Sequence, residues 1–388
     1  MKTLPAAMQV LVERLLAFLA QDGCTDAQFD ALASDLFAYQ YEHDEALRRF
    51  CQRRGVTPRR VASWRDIPPV PISGFKDATL SCIPPQDCER IFMTSGTTRG
   101  DVKGRNHHPV MAVWDQSMRG NFARRFMQGV ARMPMLTLFP SEEVLGNSSL
   151  ARYLSLAARE FGAPGSGSFM GPDGLDVDGV CRTLDAATAR GEPVALLGAS
   201  YSFVHLIDAL DERGLRFCLP EGSRLLDTGG YKRQAREVPL DAFYDSLTAA
   251  FGVARAHCIN MYGMTELSSQ FYDEGNATVP SVKSGPHWIR TRVLDPLTGL
   301  DVPAGQRGVL AHCDLANFNS ATTLLTEDVG VAVEGGFLLL GRAEGAEAKG
   351  CSIAVQEFLE AALTVRLEPF DDAQDRPVEG LSPNGVMS

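Results

Sequence analysis

Apolar residues at Met8, Leu11, Val12, Leu15, Leu16 and Leu19 recur three to four positions apart, which predicts an amphipathic surface helix over 6–20. The stretch is apolar enough to be weighed as an export signal. Glu13 and Arg14 interrupt it and no small-residue cleavage site follows, so the helix is preferred. The first 55 residues read as helical, with a further helix from about Asp44 to Arg54 ending near Gly55. Ile67-Pro68-Pro69-Val70-Pro71-Ile72 is barred from helix, because proline has no amide to donate and clashes with the preceding turn. It is expected to be an extended crossing segment leading into Gly74-Phe75-Lys76.

A short apolar strand over 91–93 precedes a loop of hydroxyl and glycine residues. Beyond it the pattern alternates. Helices are expected over 110–130, 149–160, 177–189, 201–213 and 240–251, and strands over 135–139, 194–197, 224–226 and 256–262. A Gly/Ser/Pro loop spans 162–171. Such alternation predicts a mainly parallel sheet covered by helices. From about residue 285 the character changes to short strands over 289–294, 308–313 and 336–340, an antiparallel β subregion. A last helix over 351–367 leads to a tail from Glu368 whose Asp, Pro, Gly and Ser content predicts mobility. The expected class is therefore α/β, with mainly parallel or mixed sheets plus an antiparallel subregion.

Composition narrows the possibilities. The 388 residues carry 48 acidic and 37 basic side chains, a formal net charge of −11. That balance argues against a general nucleic-acid binder, which needs a basic face. An anionic ligand stays possible, because backbone amides hold phosphate on an acidic protein. No run approaches the roughly 20 apolar residues of a transmembrane helix. The nine cysteines are scattered, odd in number and without a CxxC pair. This argues against a zinc site or disulfide framework and for a reducing, cytoplasmic setting.

Five segments carry candidate chemistry. Thr94-Ser95-Gly96-Thr97-Thr98-Arg99-Gly100, with Lys103 beyond, follows a strand. Its amides and hydroxyls suit a polyphosphate, although a plain polar turn has the same composition, and no GxxxxGK[ST] pattern is present. Tyr262-Gly263-Met264-Thr265-Glu266 ends a strand, where α/β sheets bind ligands. There Thr265 could bond a phosphate and Glu266 could hold Mg²⁺, or both could simply cap the strand. Asp227-Thr228-Gly229-Gly230-Tyr231 could bring backbone and a ring against a flat base, or be an ordinary glycine turn. Thr326-Glu327-Asp328-Val329-Gly330 reads as a turn whose carboxylate could accept from ribose hydroxyls, or as a solvated acidic turn. Gly341-Arg342-Ala343-Glu344, followed by Lys349-Gly350-Cys351-Ser352, would alone pass as a charged loop. His107 and His108 are read as polar loop residues.

In this order the five segments resemble the adenylate-forming superfamily of acyl-CoA synthetases, peptide-synthetase adenylation domains and luciferases. The phosphate-loop pattern [ST]SGTTGxPK is matched at Thr94 to Thr98 and loosely at Gly100 and Lys103; Arg99 is an extra residue and Val102 replaces proline. Y-G-x-T-E is complete, T-G-D is present as Thr326-Glu327-Asp328, and the G-R-x-D hinge ends in Glu344. Within the superfamily the chain looks most like LuxE-type acyl-protein synthetases, on Ile67 to Lys76, Ile91 to Thr98 and Gly350-Cys351-Ser352.

The resemblance implies ATP-dependent activation of a carboxylic acid, a fatty acid in that family, as acyl-AMP. Transfer to Cys351 as a thioester would follow, with an acyl reductase or carrier protein as partner. It places the β- and γ-phosphates on Thr94, Ser95, Gly96, Thr97, Thr98 and Lys103, and the α-phosphate on Thr265. Mg²⁺ falls to Glu266, adenine to Gly229, Gly230 and Tyr231, and ribose to Asp328. Tyr262, Gly263 and Arg342 complete the nucleotide site. Gly198, Ser200 and Tyr201 lie in the region of the acyl pocket. Lys349 is the candidate to favour the Cys351 thiolate and to replace the distal lysine of longer relatives. Residues 1–340 would form one large adenylation domain, and 341–388 a truncated C-terminal segment. A short CoA ligase of the phenylacetate type is the alternative, and an adenylate-binding scaffold the non-enzymatic one.

Overall fold

Helix Ala6–Leu19 buries Met8, Leu11, Val12, Leu15, Phe18 and Leu19, the face its spacing predicts. Two more helices follow, Asp26–His43 and Glu45–Arg53. Thr25 and Gln28 form a capping box at the start of the first, and Asp44 caps the second by accepting from the Leu47 amide at 3.0 Å. These coordinates are a computed structural model that describes residues 4–94, 102–230 and 235–362. Within them the chain divides into two units: residues 4–120, 264–271 and 282–362 make the first, and 121–263 with 272–281 the second.

The sheet of the first unit runs Val282–Lys283, Gly336–Arg342, Thr323–Val333, Arg307–Asp314, Ile289–Leu294, each neighbour antiparallel. The antiparallel subregion expected after residue 285 is this sheet. Its central strand, Thr323–Val333, corrects the sequence reading, which took 326–330 for a turn. Most of the strand is buried, so it lacks the in–out alternation that marks a half-exposed strand. A register shift between Val329 and Gly330 sits beside Asp328, and Gly330 is needed there: a Cβ would lie 2.6 Å from the Leu338 carbonyl. Val70–Pro71 joins the same strand in parallel, Val70 opposite Leu324 and Pro71 opposite Leu325. The proline-rich segment is thus extended, as expected, and is carried to the strand that holds Asp328.

Arg90–Met93 and Arg105–His108 form an antiparallel pair, one on each side of the hydroxyl-glycine segment in sequence. His107 and His108 are strand residues, 3% and 4% exposed, not the loop residues expected. Burial pushes them down to about 4 and about 3 and leaves both rings neutral at physiological pH.

The last described helix, Gly345–Ala362, begins earlier than expected and packs on Glu45–Arg53. The Phe358 ring meets Phe50 at 5.2 Å and closes over Gly74, where a Cβ would come within 2.6 Å of it. Arg54 grips Glu357 through two bonds of 2.9 and 2.6 Å, and Arg53 reaches Glu360 at 2.7 Å. These partly exposed pairs add little; the fully buried ring holds the helix. Phe358→Ala is expected to cost about 3 kcal/mol in urea unfolding, since it leaves a cavity between three segments.

In the second unit, parallel strands Cys258–Tyr262, Arg224–Thr228, Ala195–Ala199, Met135–Leu138 and Gly167–Ser168 lie side by side in that order. Helices Ser149–Phe161, Val177–Arg190, Ser200–Glu212 and Leu240–Phe251 alternate with them, as the pattern predicts. Leu196, Phe203, Leu206, Leu225, Leu247 and Phe251 share its core. Among the described residues no helix is long and apolar enough to cross a membrane.

Candidate functional site

Thr94 and Gly104 close the mouth of the hairpin in the first unit. The Thr94 amide donates to the Gly104 carbonyl and the Gly104 amide to the Thr94 hydroxyl, both at 2.9 Å. Lys103 is exposed beside this mouth. Ser95, Gly96, Thr97 and Thr98 lie outside the described residues, as does Tyr231. Glu266 stands at the same mouth: a Cβ on Gly104 would meet its Oε1, and the Thr94 methyl, at 3.2 Å each. A side chain there would press on the carboxylate, which would have to shift by a few tenths of an ångström. The backbone here is pinned, because Asn106 Nδ2 donates to the Thr265 carbonyl at 3.1 Å and Asn317 Nδ2 to the Glu266 carbonyl at 2.7 Å.

Glu266 is buried, and burial raises its carboxyl from 4.5 to about 7; Glu327 adds to the rise while Lys76 and Arg342 oppose it. Lys76 was not singled out from the sequence as a site residue. The pairing of Val70–Pro71 with Leu324–Leu325 brings its short helix, Gly74–Asp77, to the hairpin, where Phe75 Cβ lies 3.6 Å from the Gly104 Cβ position. Lys76 is exposed and makes no ion pair among the described residues. It supplies a cation to the place where Glu266 supplies an anion. The only sequence signal was its place at the end of the Ile67–Lys76 segment.

Asp328 is buried on its strand, and its amide donates to the Thr326 hydroxyl at 3.0 Å. Arg342 reaches it from the neighbouring strand, Nη1 to Oδ1 at 3.2 Å, and reaches Glu327 with Nη2 at 2.7 Å. Glu327 also accepts from Ser73 Oγ at 2.5 Å.

Cys351 lies on helix Gly345–Ala362, packed with Leu294, Val309, Ala311, Leu325 and Ala354, and its thiol points to the Thr326 carbonyl at 3.9 Å. Burial pushes the thiol up to about 11, reinforced by Glu327 and Glu347 and opposed by Arg342. Lys349 does not favour the thiolate, contrary to expectation: it is exposed, and two residues along a helix turn it about 200° away.

In the second unit, Gly198 lies at the carboxyl end of one strand with Ser200 and Tyr201 just after it, Gly229 and Gly230 follow the next, and Tyr262 and Gly263 end the third. The register sets Ala199 beside Thr228 and Thr228 beside Met261, so these ends share one edge of the sheet. Gly198 is required, since a Cβ would come 2.9 Å from Leu138 Cβ, and Gly229 needs its φ of 71°. Ser200 is turned inward. Its hydroxyl donates to Asp227 Oδ2 at 2.9 Å, while Tyr244 and Asn260 hold the same buried carboxylate at 3.0 and 2.8 Å. Ser200 thus supports the glycine turn, and Tyr201, half-buried, is the pocket candidate that follows it.

The first unit therefore gathers a hairpin mouth, one buried carboxylate and a lysine, together with an Asp–Arg–Glu cluster beside a buried thiol. The second presents a glycine-lined strand edge. Phosphate, cation and ribose chemistry suits the first set, and a flat base suits the second.

A family model described as acyl-protein synthetase, LuxE, matches residues 175–360. Long-chain-fatty-acid–luciferin-component ligase of Vibrio harveyi is 24% identical over 308 residues, covering 78% of this chain and 79% of its own. The protein of the same description from Aliivibrio fischeri is 22% identical over 310 residues, covering 79% of each. Among solved structures, 2-hydroxyisobutyryl-CoA ligase in the postadenylation state matches with a TM-score of 0.56 and 18% identity, over 88% of this chain and 69% of that one. Its thioesterification-state structure gives 0.56 and 20%, with the same coverage. These two establish a shared fold.

Proposed function

We propose that this chain, which is similar to LuxE-type acyl-protein synthetases over residues 175–360, is an adenylate-forming ligase that activates a long-chain fatty acid with ATP and carries the acyl group on Cys351. In the first half-reaction the carboxylate oxygen attacks the α-phosphorus of ATP, and the bond to pyrophosphate breaks. The chain forms no covalent bond in this step; its task is to align two anions and to stabilise charge. Thr94 and the loop after it hold the terminal phosphates, assisted by Lys103 and Lys76. Thr265 bonds the α-phosphate, Asp328 the ribose, and Gly229 with Gly230 the base.

The observation that carries this reading is the buried, single carboxylate of Glu266 at the hairpin mouth, in a cradle that a Cβ on Gly104 would fill. Such a donor fits Mg²⁺, which takes one or two carboxylates and completes its shell from phosphate and water. Among the described residues no group of three or more His, Cys, Asp or Glu is placed to hold a metal ion. When bound, the cation would neutralise phosphate charge as pyrophosphate leaves.

In the second half-reaction the Cys351 S–H gives its proton to water, and sulfur attacks the acyl carbon. The bond to the AMP oxygen breaks, AMP leaves and a thioester remains. A reductase or carrier would then take the acyl group. Burial of Cys351 favours a second reading, in which free CoA or a carrier thiol is the acceptor. The cysteines, all free, suit a cytoplasmic setting.

Fatty-acid-dependent exchange of labelled pyrophosphate into ATP is the test. Robust exchange that requires the acid is expected; no exchange with any of a panel of aliphatic and aromatic acids would overturn the assignment.

A further inference from the structure

Glu327 fills the middle of Thr326-Glu327-Asp328, where the related motif has glycine. A glycine would make no side-chain bond there. Glu327 makes two, accepting from Ser73 Oγ at 2.5 Å and from Arg342 Nη2 at 2.7 Å. The same guanidinium bonds Asp328 at 3.2 Å, and the Ala343 amide donates to the Glu327 carbonyl at 2.8 Å. Arg342 and Ala343 begin the connection to helix Gly345–Ala362, which carries Cys351. Three bonds thus hold that connection to the strand of the candidate ribose carboxylate.

Alternate residues of a strand share a face, so Glu327 lies on the side of Leu325. Leu325 packs in one cluster with Cys351, and the thiol itself points to the Thr326 carbonyl. The acidic side chain and the thiol therefore occupy the same side of the same short segment.

We propose that Glu327 is a positioning residue: it latches Arg342 to the ribose strand and holds the helix carrying Cys351 packed and unreactive until a bound ribose, engaging both Asp328 and Arg342, draws Arg342 off Glu327 and the latch opens. The inference rests on Cys351 as acyl acceptor. Burial does most to keep the thiol protonated; Glu327 from the strand and Glu347 from its own helix add to it, while a backbone hydrogen bond and Arg342 oppose it. With the latch closed, the acceptor cannot be alkylated or acylated out of turn. With AMP bound, the sulfur is freed in the state that holds the acyl group.

The test uses the full chain and follows iodoacetamide alkylation of the Cys351 peptide by mass spectrometry, without acyl transfer. In Glu327→Gln and Glu327→Gly, alkylation at about pH 8 is expected to rise about tenfold, since a neighbouring like charge is worth on the order of one pH unit. Buried Cys313 should stay protected, as a check on folding. In the parent chain AMP should accelerate Cys351 selectively, and in Glu327→Gly it should no longer do so. Unchanged Cys351 rates in both variants overturn the proposal. Should Cys313 react as well, the parent chain decides, and absence of an AMP effect there overturns it. Failure of the acceptor assignment is seen separately, as acyl label that persists in Cys351→Ser.

Discussion

Glu266→Gln is expected to lower acid-dependent ATP–pyrophosphate exchange by about 10²–10³-fold, the usual cost of removing one charge-stabilising group. The same substitution should stabilise the free protein. The carboxyl is buried and titrates near 7 instead of 4.5. An acid raised in the folded state is ionised more readily in the unfolded chain, so its contribution to stability falls as pH rises from about 4.5 through 7. Glutamine keeps the shape and escapes that penalty. The melting temperature of Glu266→Gln should match the parent near pH 4.5 and exceed it above pH 7, by a free energy on the order of 3 kcal/mol. Exchange assays and thermal melts across this range check both arms. A variant that is both inactive and less stable at high pH would show Glu266 to be a structural anchor, not a site residue kept at a cost in stability.

Cys351→Ser is expected to abolish covalent acyl labelling of the chain from labelled fatty acid and ATP. Acyl-AMP formation should stay within about twofold of the parent, because the thiol takes no part in the first half-reaction. Serine conserves volume, but its hydroxyl enters an apolar cluster of Leu294, Val309, Ala311 and Leu325, at a cost of about 1–3 kcal/mol. Gel autoradiography reads the label and pyrophosphate release reads the first step. Label that survives would move the acceptor to another cysteine, of which Cys218 is exposed. Loss of both readouts would mean that the helix carrying Cys351 is needed for adenylation itself.

Much of the candidate site was legible residue by residue, because local motifs depend on short segments. Thr94, Thr265 with Glu266, Asp328 and Arg342 all fall within compact patterns, and the structure sets them on a hairpin, a strand exit and two paired strands. Illegible were the relations between segments. Lys76 reaches the Glu266 neighbourhood only because Val70–Pro71 adds to the strand at Leu324–Leu325, a pairing of residues about 250 positions apart. Lys349 looked like the activator of Cys351 by proximity in sequence, but helical rotation turns it away, while Glu327 approaches from strand Thr323–Val333. His107 and His108 looked polar and proved to be core residues of a hairpin.

The sequence by itself determined the classes of element and the order of the chemistry. Helical spacing marked Ala6–Leu19, strand–helix alternation marked the parallel sheet of the second unit, and the motifs marked candidate positions for anions and a nucleoside. Those properties are local, set by backbone sterics, side-chain period and turn composition over a few residues. The tertiary structure alone decided which charges meet. Burial raises Glu266 and Cys351, and one strand, Thr323–Val333, brings Ser73, Glu327, Asp328, Arg342 and the thiol together. Electrostatics follows distance and solvent exclusion, and neither is a property of any single segment of the chain.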